Sequence, residues 1–139
     1  MIIARFGDDY DTAYAFPRAG EVDTWRVERP ASYARVSGLP GAFDYFGDFY
    51  SPLTAMTFRK SFLVSSATYA AVQTAIDALK TATIDYAYES KLWLLNRGGN
   101  YSAVWAKCIS LKISDQAGQI YFIRAEVEFL AREGMTHFV

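Results

Sequence analysis

At 139 residues the chain is sized for one domain with a core of its own, and its 14 Lys+Arg against 15 Asp+Glu give a formal charge of -1. That balance supplies no basic field to hold a polyanion by counterion release, and no apolar run approaches the roughly 20 residues that cross a bilayer. Aromatic residues make up 17%, an excess that a small domain buries or spends at interfaces.

The chain opens with "MIIARF", a short strand pattern without the basic start and long apolar stretch of a signal peptide. "GDDYDTAYAFPRAGEVD" follows as an irregular acidic segment broken by Pro17 and Gly20, with no core of its own expected. "TWRVERP" alternates Trp25, Val27 and Arg29 against Arg26 and Glu28, and Pro30 ends the ladder; "YARV" can continue that edge. The next segment, "SGLPGAFDYFGDFYSPL", is a loop rich in glycine and proline that crowds together Phe43, Tyr45, Phe46, Phe49 and Tyr50. It is too aromatic for disorder, which makes it a candidate assembly loop, with an intrachain lid over the core as the alternative.

Past the loop, Met56, Phe58, Phe62 and Val64 share one strand face, Thr57, Arg59 and Ser61 the other, and Lys60 interrupts the apolar row. Ser65 or Ser66 can cap a helix running to about Thr81, in which Tyr69, Val72, Ile76 and Leu79 fall within an arc of roughly 80° and bury against a sheet. "SKLWLLN" and "YSAVWAKCISLKI" are joined through Arg97, Gly98, Gly99 and Asn100, a hairpin turn whose glycines supply positive φ. "DQAG" turns into "QIYFIRAEVEFLA", where Tyr121, Ile123, Ala125, Val127 and Phe129 oppose Arg124, Glu126 and Glu128. This order describes a mainly β (α+β) fold: an antiparallel β sandwich or barrel with one packed α-helix. Residues 1–139 are expected to be a single domain.

Chemistry is sparse along this chain. His137, the single histidine, lies two residues from the C-terminus, where chains fray, so no Ser/His/Asp or Cys/His constellation is expected and no catalytic residue is assigned. One Cys and one His cannot furnish a zinc set, and Asp8, Asp9 and Asp11 lack the glycine and glutamate of a calcium loop. No metal or cofactor is expected. Cys108, alone in an apolar strand, reads as a buried thiol that forms no intrachain disulfide. Glu126 and Glu128 stand about 7 Å apart on one strand face, a spacing that glycosidases use, but Arg124 beside them points to surface pairing.

The loop "GLPGAFDYFGDFYSPL", the strand "TAMTFRKSFLV", the capped helix "SSATYAAVQTAIDALK", and then "SKLWLLN", "YSAVWAKCISLKI" and "IYFIRAEVEFL" carry a resemblance across about two thirds of the chain, from Tyr33 to Leu130. In this order they resemble the tube-like N-terminal domain of the distal tail protein family of long-tailed bacteriophages. The resemblance places the tube-like core at about residues 33–130 with an irregular segment before it. It implies a noncatalytic structural protein of the virion tail, assembled in the host cytoplasm without a membrane anchor. Such domains form hexameric rings around the DNA channel, contact neighbouring tail proteins through their loops, and let DNA pass transiently and without sequence preference. Many members carry a further C-terminal domain; the expectation here is the tube-like part, as a minimal distal ring, a tail tube subunit or another ring at a tail joint.

A channel face should carry small or charged groups, which makes Arg59, Ser61, Arg124, Glu126 and Glu128 the candidate channel-facing residues. The alternative is a small-ligand-binding β barrel with Trp93, Trp105, Tyr101 and Phe122 around a pocket.

Overall fold

The computed structural model describes residues 1–28, 33–34, 43–44, 55–116 and 119–138. Its strands are β1 (Ile2–Phe6), β2 (Tyr14–Ala15), β3 (Val22–Glu28), β4 (Tyr33–Ala34), β5 (Phe43–Asp44), β6 (Ala55–Ser65), β7 (Ser90–Leu95), β8 (Tyr101–Gln116) and β9 (Gln119–Phe138), with helix α1 (Tyr69–Ala82) between β6 and β7. Seven of these strands form one antiparallel sheet in the order β2-β1-β7-β8-β9-β6-β3. The mainly β class with one helix therefore holds among the described residues.

The sheet is curled into a barrel-like shell. Its two edge strands, β2 and β3, are consecutive in the chain, and the residues between Ala15 and Val22 reach only about 20 Å when extended. The ring of Phe6 in β1 lies 4.8 Å from that of Phe129 in β9, although β7 and β8 stand between their strands. Three strand spacings on a flat sheet would separate them by about 14 Å. A bulge in β8 at Ile109, and the extra residues that β9 carries opposite Trp105, supply the bend. At the seam, the Ile3 backbone amide of β1 acts on the Asp23 carboxylate of β3 and lowers its pKa, against the larger effect of burial.

One face of every long strand fills the interior. Phe58, Phe62 and Val64 of β6 meet Ile123, Ala125, Val127 and Phe129 of β9. Val72, Ile76 and Leu79 of α1 cover them, and Ile3, Phe6, Leu92 and Leu94 close the opposite wall. Cys108 is buried with its Sγ 3.5 Å from the Ser110 carbonyl oxygen, and burial raises its pKa, which keeps the thiol protonated and unreactive.

Four sequence expectations need correction. The helix cap is Thr68, whose Oγ1 accepts the Ala71 N–H at 3.2 Å; Ser65 is still paired with Phe122 in the sheet. Tyr69 is 57% exposed, because side chains of a first helical turn point back beyond the helix start. The segment after β1 does contribute to the core: Phe16 is buried, its ring 5.9 Å from those of both Phe62 and Phe129, so the sheet and core reach well before residue 33. "YARV" does not extend β3; Tyr33 and Ala34 pair instead with Asp44 and Phe43 in a separate two-stranded ladder.

The C-terminal segment also departs from the frayed tail expected for His137. After Ala131 pairs with Ala106, the ladder resumes with Thr136 opposite Val104, His137 opposite Ala103 and Phe138 opposite Ser102. Residues 132–135 form a wide bulge opposite Trp105. The Arg97–Asn100 turn forms where expected, but of its two glycines Gly99 alone has positive φ, at 83°, with its N–H bonded to the Asn96 carbonyl at 3.0 Å.

Ile76 is only 7% exposed at the centre of the helix's buried face. Ile76→Ala should lower the unfolding free energy by about 2–5 kcal/mol in denaturant titration. A loss near 0.5 kcal/mol, roughly that of a surface site, would contradict the observed packing.

Candidate assembly surface

The face of the sheet turned away from the core is built by register. Across β3, β6, β9 and β8 the rows run Thr24, Arg59, Glu128, Ser110, and next to it Val22, Ser61, Glu126, Lys112. A third row holds Leu63, Arg124 and Ser114, and a fourth Arg26, Thr57, Leu130 and Lys107. The five polar residues singled out by alternation thus lie together on one outer face.

They are also bonded to one another. Arg59 Nη2 donates to Glu128 Oε2 at 2.9 Å, and Arg59 Nε stands 3.3 Å from Glu126 Oε1. Arg124 Nη1 donates to Ser61 Oγ at 2.6 Å. The hydrogen bond that Arg59 donates to Glu128, the charge of Glu128 and that of Glu126 raise the Arg59 pKa, so the guanidinium is permanently charged. These exposed pairs add little stability. Their effect is to leave an even, hydrated mosaic of opposite charges, with Glu126 and Glu128 both engaged by Arg59.

The four-strand slab β3-β6-β9-β8 has an open edge at each end among the described residues. β3 pairs only with β6. β7 stops opposite Ala106, so from Lys107 to Gln116 β8 pairs only with β9. Both edges carry exposed apolar groups: Val22 at 57% and Trp25 at 56% on β3, Ile109 at 46% and Ile113 at 39% on β8. A surface groove of about 300 Å³ runs beside β3, lined by Thr24, Trp25, Arg26, Thr57 and Arg59.

Lys60 is a feature that sequence reading noted only as a gap in the apolar row. It faces the interior, its side chain is 0% exposed, and its Nζ lies 2.7 Å from Glu21 Oε2 and 3.1 Å from Asp23 Oδ1. Burial raises the pKa of Asp23, against the pull of Lys60. Burial acts on Glu21 in the same sense, but Lys60 and Arg18 together hold it below its ordinary value. The opposite directions follow position: the Asp23 side chain is 6% exposed and that of Glu21 18%.

The assembly loop falls largely outside the described residues: this applies to Tyr45, Phe46, Phe49 and Tyr50, while Phe43 is described only as a backbone partner of Ala34 in the β4–β5 ladder.

The residues of the ligand-barrel alternative do not enclose a pocket. Tyr101, Trp93 and Trp105 lie on the outer face of β7 and β8, since Leu92, Leu94, Val104 and Ala106 take the inner one. Trp93 is covered by Tyr10, at 5.4 Å between rings, and its Nε1 donates to the Gly7 carbonyl at 2.8 Å. Phe122 is 44% exposed on β9, and the interior that a ligand would need is filled by Phe58, Phe62 and Phe129.

The fold as a whole superposes on solved structures. This fold is shared with chains of gene transfer agent particles. One, in the tail of an empty particle solved by helical refinement with C6 symmetry, superposes with a TM-score of 0.52 at 8% identity, over 99% of this chain and 95% of that one. Another, in the virion of a native gene transfer agent particle, gives 0.54 at 9% identity over 97% and 94%. No protein-family model and no curated protein matches the sequence.

Proposed function

We propose that this chain is a noncatalytic structural subunit of a phage-type tail, one that closes into a ring around a DNA channel with the Arg59, Ser61, Arg124, Glu126 and Glu128 face lining it. The observation that carries the proposal is the pair of open edges on opposite sides of one slab, with a charged face between them. An edge strand seeks a partner, and two different edges on one subunit make a head-to-tail contact that generates a ring when its rotation closes. Six copies is the count suggested by the C6 symmetry of the similar tail. A distal ring is the placement implied by the sequence resemblance, a tube subunit its alternative, and neighbouring tail proteins are the further partners.

In this reading the aromatic loop anchors subunit to subunit. Replacing Tyr45 and Phe49 with serine should leave the melting temperature of the monomer unchanged while ring or tail formation fails, because an anchor removes apolar area from water only in the assembly and its truncation costs about 2 kcal/mol or more. Light scattering with electron microscopy reads the assembly, and thermal unfolding the monomer. Intact rings with a large drop in melting temperature would make the loop a lid on its own domain. A parent protein that forms no ring, alone or with neighbouring tail components, would sink the ring itself.

A further inference from the structure

We propose that Lys60 is a register-setting residue: its ammonium, shared by Asp23 and Glu21, fixes which residues of β3 face β6, and so which side chains that edge presents to a neighbouring copy. Elsewhere in the sheet, register follows from burial. A slip of β9 by one residue would turn Ile123, Ala125, Val127 and Phe129 out of the core. β3 has no such restraint among its described side chains: Val22, Thr24 and Arg26 lie on the outer face, Trp25 shares the face of Asp23 opposite Phe58 but is 56% exposed, and Asp23, its side chain 6% exposed, is the one that is covered.

Backbone bonding does not choose either, since the same N–H and C=O groups re-pair after a slip of two residues. The choice falls to charge. Asp23 stands directly opposite Lys60, and its carboxylate accepts from the ammonium at 3.1 Å. A one-residue slip would bring Val22 or Thr24 opposite the buried ammonium, and a two-residue slip Trp25 or Glu21. Each slip removes Asp23 from its place opposite Lys60. Fixing register at some cost in stability is the best-attested use of buried polar and ionic groups.

The test uses the full chain in isolation. In the triple variant Lys60→Met, Glu21→Gln, Asp23→Asn, the unfolding midpoint should equal or exceed that of the parent, while the backbone amide NMR signals of β3 split or broaden and its cross-strand NOEs to β6 weaken. Signals of β9 should be unmoved. A single sharp set of β3 signals with the parental NOEs would overturn the proposal. Should the triple variant not fold, Asp23→Asn alone keeps the cation and Glu21, and a second β3 population with Glu21 opposite Lys60 is expected. One parental register in that variant would equally overturn it. The consequence for assembly rests on the ring reading, but the register experiment needs no ring, so failure of either is seen separately.

Discussion

Phe129→Ala should lower the unfolding free energy by about 3–5 kcal/mol, the largest loss expected from a single core truncation here. Phe129 is fully buried in β9, and its ring meets Phe6 at 4.8 Å and Phe16 at 5.9 Å. Those partners come from β1 and from the stretch after β2, so this one side chain holds the curled sheet against its far wall. Collapse around the vacancy is limited because the surrounding groups belong to hydrogen-bonded strands on several sides, and a cavity that cannot relax carries its full cost. Denaturant unfolding of the variant measures the loss. A value below about 1 kcal/mol would mean that the two walls are not in contact and the sheet is open.

Lys60→Met alone should cost about 3–5 kcal/mol at neutral pH, since it leaves the buried Asp23 carboxylate with its cation gone and Glu21 with Arg18 only. The pH dependence carries a sign. In the parent, Asp23 has a raised folded pKa, so its contribution is full below its ordinary 3.8 and is lost as pH rises through the folded value. Glu21 has a lowered one, so its contribution is present above its ordinary 4.5 and is lost as pH falls through the folded value. The two oppose each other around pH 4. Without Lys60 the pKa of Asp23 rises further, and that of Glu21, left with Arg18 alone, also moves up from its value in the parent, so both changes favour the variant as pH falls. The gap in stability between parent and variant should therefore narrow from pH 7 to pH 4 in matched unfolding curves. A gap that stays constant or widens on acidification would show that the carboxylates do not depend on the lysine.

These two positions also mark how far the sequence could be read. Phe129 was legible, because Ile123, Ala125, Val127 and Phe129 repeat at the period of a strand and burial follows period. The helix face through Val72, Ile76 and Leu79 was legible for the same reason, as were the turn at Gly99 and the outer set Arg59, Ser61, Arg124, Glu126 and Glu128. Lys60 was visible only as an interruption, and its partners lie 37 and 39 positions away in the chain. Periodicity says which face a residue occupies but carries no information about which strand will lie beside it. That limit also hid Phe16, which sits in a segment with no period and is buried by strands that come later. It hid the pairing of Thr136, His137 and Phe138 with the start of β8, which depends on a bulge that no local pattern announces. What the sequence by itself determined was the class of fold and the inward and outward faces of its long strands. Only the tertiary structure decided that the sheet curls until Phe6 of β1 meets Phe129 of β9, that Lys60 is buried against Glu21 and Asp23, and that β3 and the far half of β8 are left as open edges among the described residues. Those outcomes depend on contacts between residues distant in sequence, whose energies arise only after the chain has closed on itself.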